Sequence, residues 1–183
     1  MSPQRIARKT KVILFTDIHH FARILVSKEL DSVLFLQKFY EDSGDEIVKR
    51  GGKIIKYMGD TIYALFPDGS ELAAVECAEA MRKAYDALVA KWSVTIETEL
   101  EVGIGFGEVY IGEFGHKSLK IEDAFGEAVC NTAMMRRYRG IAVTEEIKNR
   151  IRGKYRVEAL PDFQPKWRPE PIKTWAVIET DAD

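Results

Sequence analysis

Two aspartates carry the chemical suggestion of this sequence. Asp17 closes the continuous apolar, β-branched run "KVILFTDI" (11 to 18), and Asp60 sits in the turn of "GGKIIKYMGDTIYALF" (51 to 66). A Gly-Asp turn alone requires no function, because both residues tolerate the positive φ angles of tight hairpins. Two carboxylates brought to adjoining strand ends are a different matter. They repel unless a cation lies between them, and hard oxygen ligands with room for phosphate oxygens suit Mg²⁺ or Mn²⁺. Phosphoryl transfer is the chemistry such a pair would serve. Lys56, four residues before Asp60, lies on the preceding strand and is close enough to reach a bound nucleotide.

The pair can form only if the surrounding elements bring it together. The run ending at Asp17 reads as a strand buried on both faces. From Asp31 to Lys49 apolar residues recur at Val33, Leu34, Leu36, Phe39, Tyr40, Ile47 and Val48, close to helical spacing, with Asp31 as N-cap. Lys53 to Met58 and Thr61 to Phe66 form a hairpin, and Glu71 to Ala90 a second helix with an alanine-rich packed stripe. "ETELEVGIGFG" and "EVYIGEFG" read as two strands joined around Gly107, followed by a helix from Glu127 to Arg137. The strand "IAVT", a helix from Glu145 to Ile151, and strands near Tyr155 to Leu160 and Ile172 to Glu179 complete the chain. This order predicts one α+β domain over residues 1–183. Its ferredoxin-like β-α-β-β-α-β core is an antiparallel sheet with helices on one face, extended by an α/β C-terminal tail. In such a sheet the first strand and the hairpin are neighbours, so Asp17 and Asp60 are expected to converge.

Composition narrows the partners. The chain has 183 residues, 46% of them apolar, enough for one sizeable core. A net charge of -2 gives no footprint for nonspecific nucleic-acid binding and disfavours a ferredoxin-like RNA binder. Any polyanion held must be small. Cys77 and Cys130 show neither metal spacing nor a disulfide framework, which fits a reducing cytoplasm. No apolar stretch approaches the roughly 20 residues of a membrane span, and "MSPQRIARKTK" lacks the apolar core of a signal peptide. The proline-containing "LPDFQPKWRPEP" (160 to 171) reads as a surface excursion or lid.

Four blocks together resemble one family. "VILFTDIHHF" is similar to the opening strand of class III nucleotidyl cyclases, and "GGKIIKYMGDTIYALF" to their hairpin with the second metal aspartate in its turn. "EVGIGFGEVYIGEFG" resembles the paired glycine-punctuated strands and "DAFGEAV" the passage from strand to helix, so the resemblance runs in order over roughly residues 10 to 150. It implies two-metal conversion of a nucleoside triphosphate to a 3′,5′-cyclic nucleotide and pyrophosphate. Asp17 and Asp60 would hold two Mg²⁺ or Mn²⁺ ions per site with the Ile18 carbonyl, and the turn of His19, His20 and Phe21 would offer backbone N–H groups to the β- and γ-phosphates. Lys56 and Asp123 stand at the base-reading positions and resemble an adenine-reading pair. One short chain carrying both sets implies a homodimer with sites at the interface. "SGDEI" (43 to 47) superficially resembles the turn of diguanylate cyclases, but it falls late in a helix.

Two departures bear on the substrate. Cys130 and Met134 occupy the positions of the family's ribose-binding asparagine and phosphate-stabilising arginine. Asn131 and Arg136 lie one and two residues later, and Arg136, Arg137 and Arg139 are candidates to restore the lost charge, as are Lys166 and Arg168 in the late loop. The chain is also close to a bare catalytic domain. In form it most resembles the stand-alone pyrimidine cyclases of bacterial Pycsar antiphage defence, which make cyclic UMP or cyclic CMP for a separate effector. The residues at the base positions point to ATP, whereas the resemblance in form and the altered helix point to a pyrimidine, UTP or CTP, which is the reading taken here, with ATP as the alternative. Tyr57 would narrow the pocket for a one-ring base only if a bulge turned it to the face of Lys56. A non-catalytic nucleotide-binding dimerisation module is the reading from another class.

Overall fold

The computed structural model describes residues 6–28 and 30–178 of the chain. Within them the elements run β1 (Ala7–Ile18), α1 (Phe21–Lys28), α2 (Leu30–Lys49), β2 (Lys53–Met58), β3 (Thr61–Pro67) and α3 (Glu71–Lys91). Then follow β4 (Leu100–His116), β5 (Leu119–Phe125), α4 (Glu127–Met135), β6 (Ile141–Thr144), α5 (Glu145–Arg150), β7 (Arg156–Ala159) and β8 (Thr174–Ile178). Residues 1–5, part of the start read above for a signal peptide, and Glu179, the expected end of the last strand, lie outside the described residues. No described helix is long and apolar enough to cross a membrane.

The strands form one sheet in the order β2-β3-β1-β4-β6-β8-β7, with β5 paired to β4 beyond that path. The first four positions, β2-β3-β1-β4, are antiparallel and form the ferredoxin-like core expected from the sequence. β4 pairs in parallel with β6, which starts the C-terminal extension. β1 is central, and its period of two divides its side chains between two cores. Val12, Leu14 and Ile18 join Ile62, Phe66, Val102 and Ile104 beneath α2 and α3. Ile13 and Phe15 join Tyr63, Leu65, Val109 and Val129 on the side covered by α4. Each fully buried Ile or Phe contributes about 1.5–3 kcal/mol through this burial.

Several expectations change here. Helices cover both faces of the sheet, because α4 packs on the side opposite α2 and α3. The glycines of β4 make that possible: a Cβ at Gly105 would stand 1.9 Å from Thr132 Oγ1, and one at Gly107 would stand 2.6 Å from Ala128 Cβ. Gly107 therefore lies within one continuous strand rather than joining two. β5 returns along the second half of β4 as a hairpin partner. A separate helix, α1, precedes α2, and Asp31 lies inside the first turn of α2 instead of capping it. In α2 the buried stripe is Phe35, Phe39 and Ile47, while Val33, Leu34 and Val48 face outward. Gly44 and Asp45 lie within α2, which removes the "SGDEI" turn from consideration.

Candidate active site

The antiparallel register of β1 with β3, Phe15 opposite Tyr63, carries Asp17 alongside Thr61 at one edge of the sheet. Thr61 Oγ1 donates to Asp17 Oδ1 at 3.4 Å. Asp60 precedes Thr61 in the two-residue connection Gly59–Asp60, where Gly59 takes φ 62°, a left-handed conformation that costs glycine little. The Asp60 carboxylate turns toward β1 and accepts the Ile18 N–H at 3.3 Å through Oδ2. The expected convergence of the two acids is therefore present. Burial, and then the charge of Asp60, pushes the Asp17 carboxyl above its ordinary range, while Arg136 opposes the shift.

Arg136 follows the last residue of α4 and donates through Nη1 to Thr61 Oγ1, with the same nitrogen 3.5 Å from Asp17 Oδ1. Of the three arginines proposed after α4, it alone is paired with the aspartate site. Arg137 stacks 4.5 Å over Phe163, and Arg139 pairs with Glu97 and Glu99.

The turn after β1 is held by side chains as well as backbone. His19 Nδ1 meets Glu101 Oε1 at 3.0 Å, the His19 carbonyl accepts from Thr98 Oγ1 at 2.7 Å, and His20 Nδ1 lies 3.2 Å from the Glu97 carbonyl. The His19 N–H already donates to Glu99 O at 3.0 Å, so it is not an open phosphate donor as expected. His20 takes φ 62°, and its carbonyl receives the N–H groups of Arg23 and Ile24, setting the start of α1. At that start the N–H groups of Phe21 and Ala22 have no carbonyl earlier in the helix to bond. The Phe21 ring itself packs against the main core. Glu101 escaped the sequence reading, although a carboxylate inside the buried run "LEVGIGF" was a signal; burial pushes its carboxyl up, with His19 opposing.

The second cluster lies on the α4 side of the same sheet. Lys56 Nζ and Asp123 Oδ2 are 2.5 Å apart, joining β2 to β5, and Asp123 also accepts its neighbour's N–H, that of Ala124, at 2.8 Å. Lys56 lies 5.7 Å from the centroid of the Phe125 ring. Tyr63 beneath them donates to the Ala124 carbonyl at 3.2 Å. The bulge in β2 falls between Ile54 and Lys56, before Tyr57, and leaves Tyr57 on the other face. There its ring lies 4.2 Å from that of Tyr40 on α2, so Tyr57 does not join Lys56 and Asp123.

Three other candidates are placed elsewhere. α4 runs back along β4, so that Gly126 abuts Glu108 while Arg136 abuts Gly103. Arg168 pairs with Glu127 and Glu170 at the start of α4, one helix length of about 13 Å from Arg136. Asn131 accepts from Trp167 Nε1 at 3.3 Å, so it serves the late loop and not the site. Lys166 is exposed, and Cys130 is an exposed free thiol.

Chemically, the edge at Asp17 and Asp60 offers hard anionic oxygens that repel one another, which is the donor set of Mg²⁺ or Mn²⁺. Among the described residues no group of three or more His, Cys, Asp or Glu side chains is arranged to hold a metal ion. The fit is thus to a cation whose shell is completed by other oxygens, such as those of a phosphate chain or water.

The "Adenylate and Guanylate cyclase catalytic domain" family matches residues 5–178. An adenylate cyclase of Anabaena cylindrica is 34% identical over 124 residues, covering 64% of this chain and 25% of that protein. The chain spans between 6% and 30% of the lengths of the curated relatives it matches. The fold is shared with the adenylyl cyclase CyaB of P. aeruginosa, at a TM-score of 0.89 and 23% identity over 98% of both chains. It is likewise shared with the guanylate cyclase domain of RhGC from Catenaria anguillulae, at a TM-score of 0.82 and 15% identity, covering 96% of this chain and 100% of that one.

Proposed function

This chain belongs to the adenylate and guanylate cyclase catalytic-domain family, and from that premise we propose that it converts a nucleoside triphosphate to a 3′,5′-cyclic nucleotide and pyrophosphate. The observation that carries the reading is the meeting of Asp17 and Asp60 at one sheet edge, with Thr61 and Ile18 bonded between them. In the reaction the ribose 3′-hydroxyl gives its proton to water, its oxygen attacks the α-phosphorus, and the bond from that phosphorus to the pyrophosphate oxygen breaks. Asp17, Asp60 and the Ile18 carbonyl would hold two Mg²⁺ or Mn²⁺ ions, which when bound acidify the hydroxyl and offset charge on the leaving phosphates. The open N–H groups at the start of α1, with the positive end of that helix, would be available to the phosphate chain.

Lys56 and Asp123 orient the base. A cationic donor beside an anionic acceptor meets the ring nitrogen and exocyclic amine of adenine or cytosine, and equally the O4 and N3–H of uracil, so the pair accommodates a pyrimidine as well as a purine. Our reading is UTP or CTP, giving cyclic UMP or cyclic CMP as an antiphage signal for a separate effector in the cytoplasm. It rests on Cys130 and Met134 in α4, which stand where the family's asparagine and arginine are expected. ATP is the second reading, favoured by the closed Lys56–Asp123 pair and by relatives named adenylate cyclases. A second copy of the chain completes each site; the outward-facing Tyr110, Leu119, Ile121 and Phe125 on the β4–β5 hairpin support such a partner.

Incubating the purified chain with Mn²⁺ and each of the four nucleoside triphosphates tests this. Pyrophosphate with one cyclic pyrimidine nucleotide is the expected product. Cyclic AMP alone selects the second reading, and no turnover with any triphosphate leaves a nucleotide-binding module.

A further inference from the structure

Arg136 is the first residue past α4, and its placement is built in. Gly103 lets the last turn of α4 settle on β4: a Cβ there would stand 2.9 Å from Thr132 O and 3.1 Å from Arg136 N. From that anchor the guanidinium reaches across to β3 and β1. Nη1 donates to Thr61 Oγ1 and lies 3.5 Å from Asp17 Oδ1, the oxygen to which Thr61 itself donates at 3.4 Å. Asp17 and Arg136 are both about one-third exposed, at 33% and 36%, so their attraction is only partly screened. Asp60 supplies the second negative charge, held toward β1 by the Ile18 N–H. The edge therefore contains two mutually repelling carboxylates and a cation of the same chain already seated on one of them.

We propose that Arg136 is the resident counter-cation of the Asp17–Asp60 pair of its own chain, which a divalent ion must displace from Asp17 in order to bind. This rests on the reading of those aspartates as metal ligands. A guanidinium and a divalent ion compete for the same oxygen lone pairs, so each weakens the other's hold on Asp17. A triphosphate reverses the balance, because it gives the released guanidinium a new anionic partner. Metal and nucleotide then bind with positive coupling through Arg136, and the bare ion binds weakly. The device offsets one of the two negative charges when the site holds no metal.

The test measures Mn²⁺ alone, without nucleotide, on the full chain. Free Mn²⁺ is followed by electron paramagnetic resonance, and the rise in unfolding temperature at increasing Mn²⁺ is measured in parallel. Arg136→Gln keeps a donor for Thr61 but removes the charge; it is expected to bind Mn²⁺ about 3- to 10-fold more tightly than the unaltered chain, with a larger thermal shift. Arg136→Lys keeps the charge and is expected to stay near the unaltered chain. A purely structural role for Arg136 predicts no tightening. Equal or weaker binding by Arg136→Gln, where Asp17→Asn still abolishes binding, overturns this inference alone. Binding that survives Asp17→Asn, or is absent from every variant by both measurements, overturns the metal reading and this inference together.

Discussion

Lys56 and Asp123, 67 residues apart in the chain, are joined by a 2.5 Å contact between Nζ and Oδ2. The pair is unequal: the Lys56 side chain is 28% exposed and that of Asp123 only 6%. Its loss is therefore felt through the acid.

Lys56→Ala strands a buried carboxylate and is expected to cost about 2 kcal/mol of stability, read from urea unfolding. The catalytic efficiency kcat/KM should fall about 10- to 100-fold, from lost orientation of the base. Mn²⁺ binding at Asp17 should be unchanged, since Lys56 does not touch it.

Asp60→Asn separates activity from stability. The amide keeps an oxygen for the Ile18 N–H but removes the like charge beside Asp17. Without metal the variant should match the unaltered chain or exceed it by about 0.5–1 kcal/mol. Turnover should drop at least about 100-fold. Thermal unfolding without metal and a cyclic-nucleotide assay check the two halves.

The pH dependence of stability follows from Asp17 and Glu101. Burial raises both carboxyls above their unfolded values, so the folded chain holds these protons more tightly than the unfolded one. Below about pH 3 both groups are protonated in either state and cost nothing. As pH rises through the folded values the buried sites must ionise, and stability is lost. Metal-free thermal unfolding from about pH 4 to 7 should therefore fall more steeply for the unaltered chain than for Asp17→Asn.

Gly103→Ala probes the seat of α4. The added methyl meets the backbone at Thr132 O and Arg136 N, which cannot rotate away. A loss of about 1–3 kcal/mol is expected. Activity should suffer beyond that loss, because Arg136 moves with the end of the helix.

Tyr57→Phe supplies the negative control. Its ring lies against Tyr40, on the face away from Lys56. The ratio of turnover among the four triphosphates should be unchanged, and an altered ratio would return Tyr57 to the base pocket.

By itself the sequence determined the strand ending in Asp17, the hairpin carrying Asp60, and the order of elements that makes them neighbours. These are local matters: hydrophobic period, turn chemistry and helix length are written in adjacent residues. Lys56 and Asp123 were nameable from the resemblance of their motifs, although nothing local showed that they touch. Tertiary structure alone decided the rest. The bulge position in β2 set the face of Tyr57, because one extra residue inverts every later side chain. The phase of α4, turning about 100° per residue, sent Asn131 to Trp167 and placed Arg136 against Asp17, with Arg168 left at the far end. Glu101 met His19 only because β4 lies beside β1. Which side chains share a face depends on register and helical phase between distant segments, and those are fixed when the sheet and its two cores close.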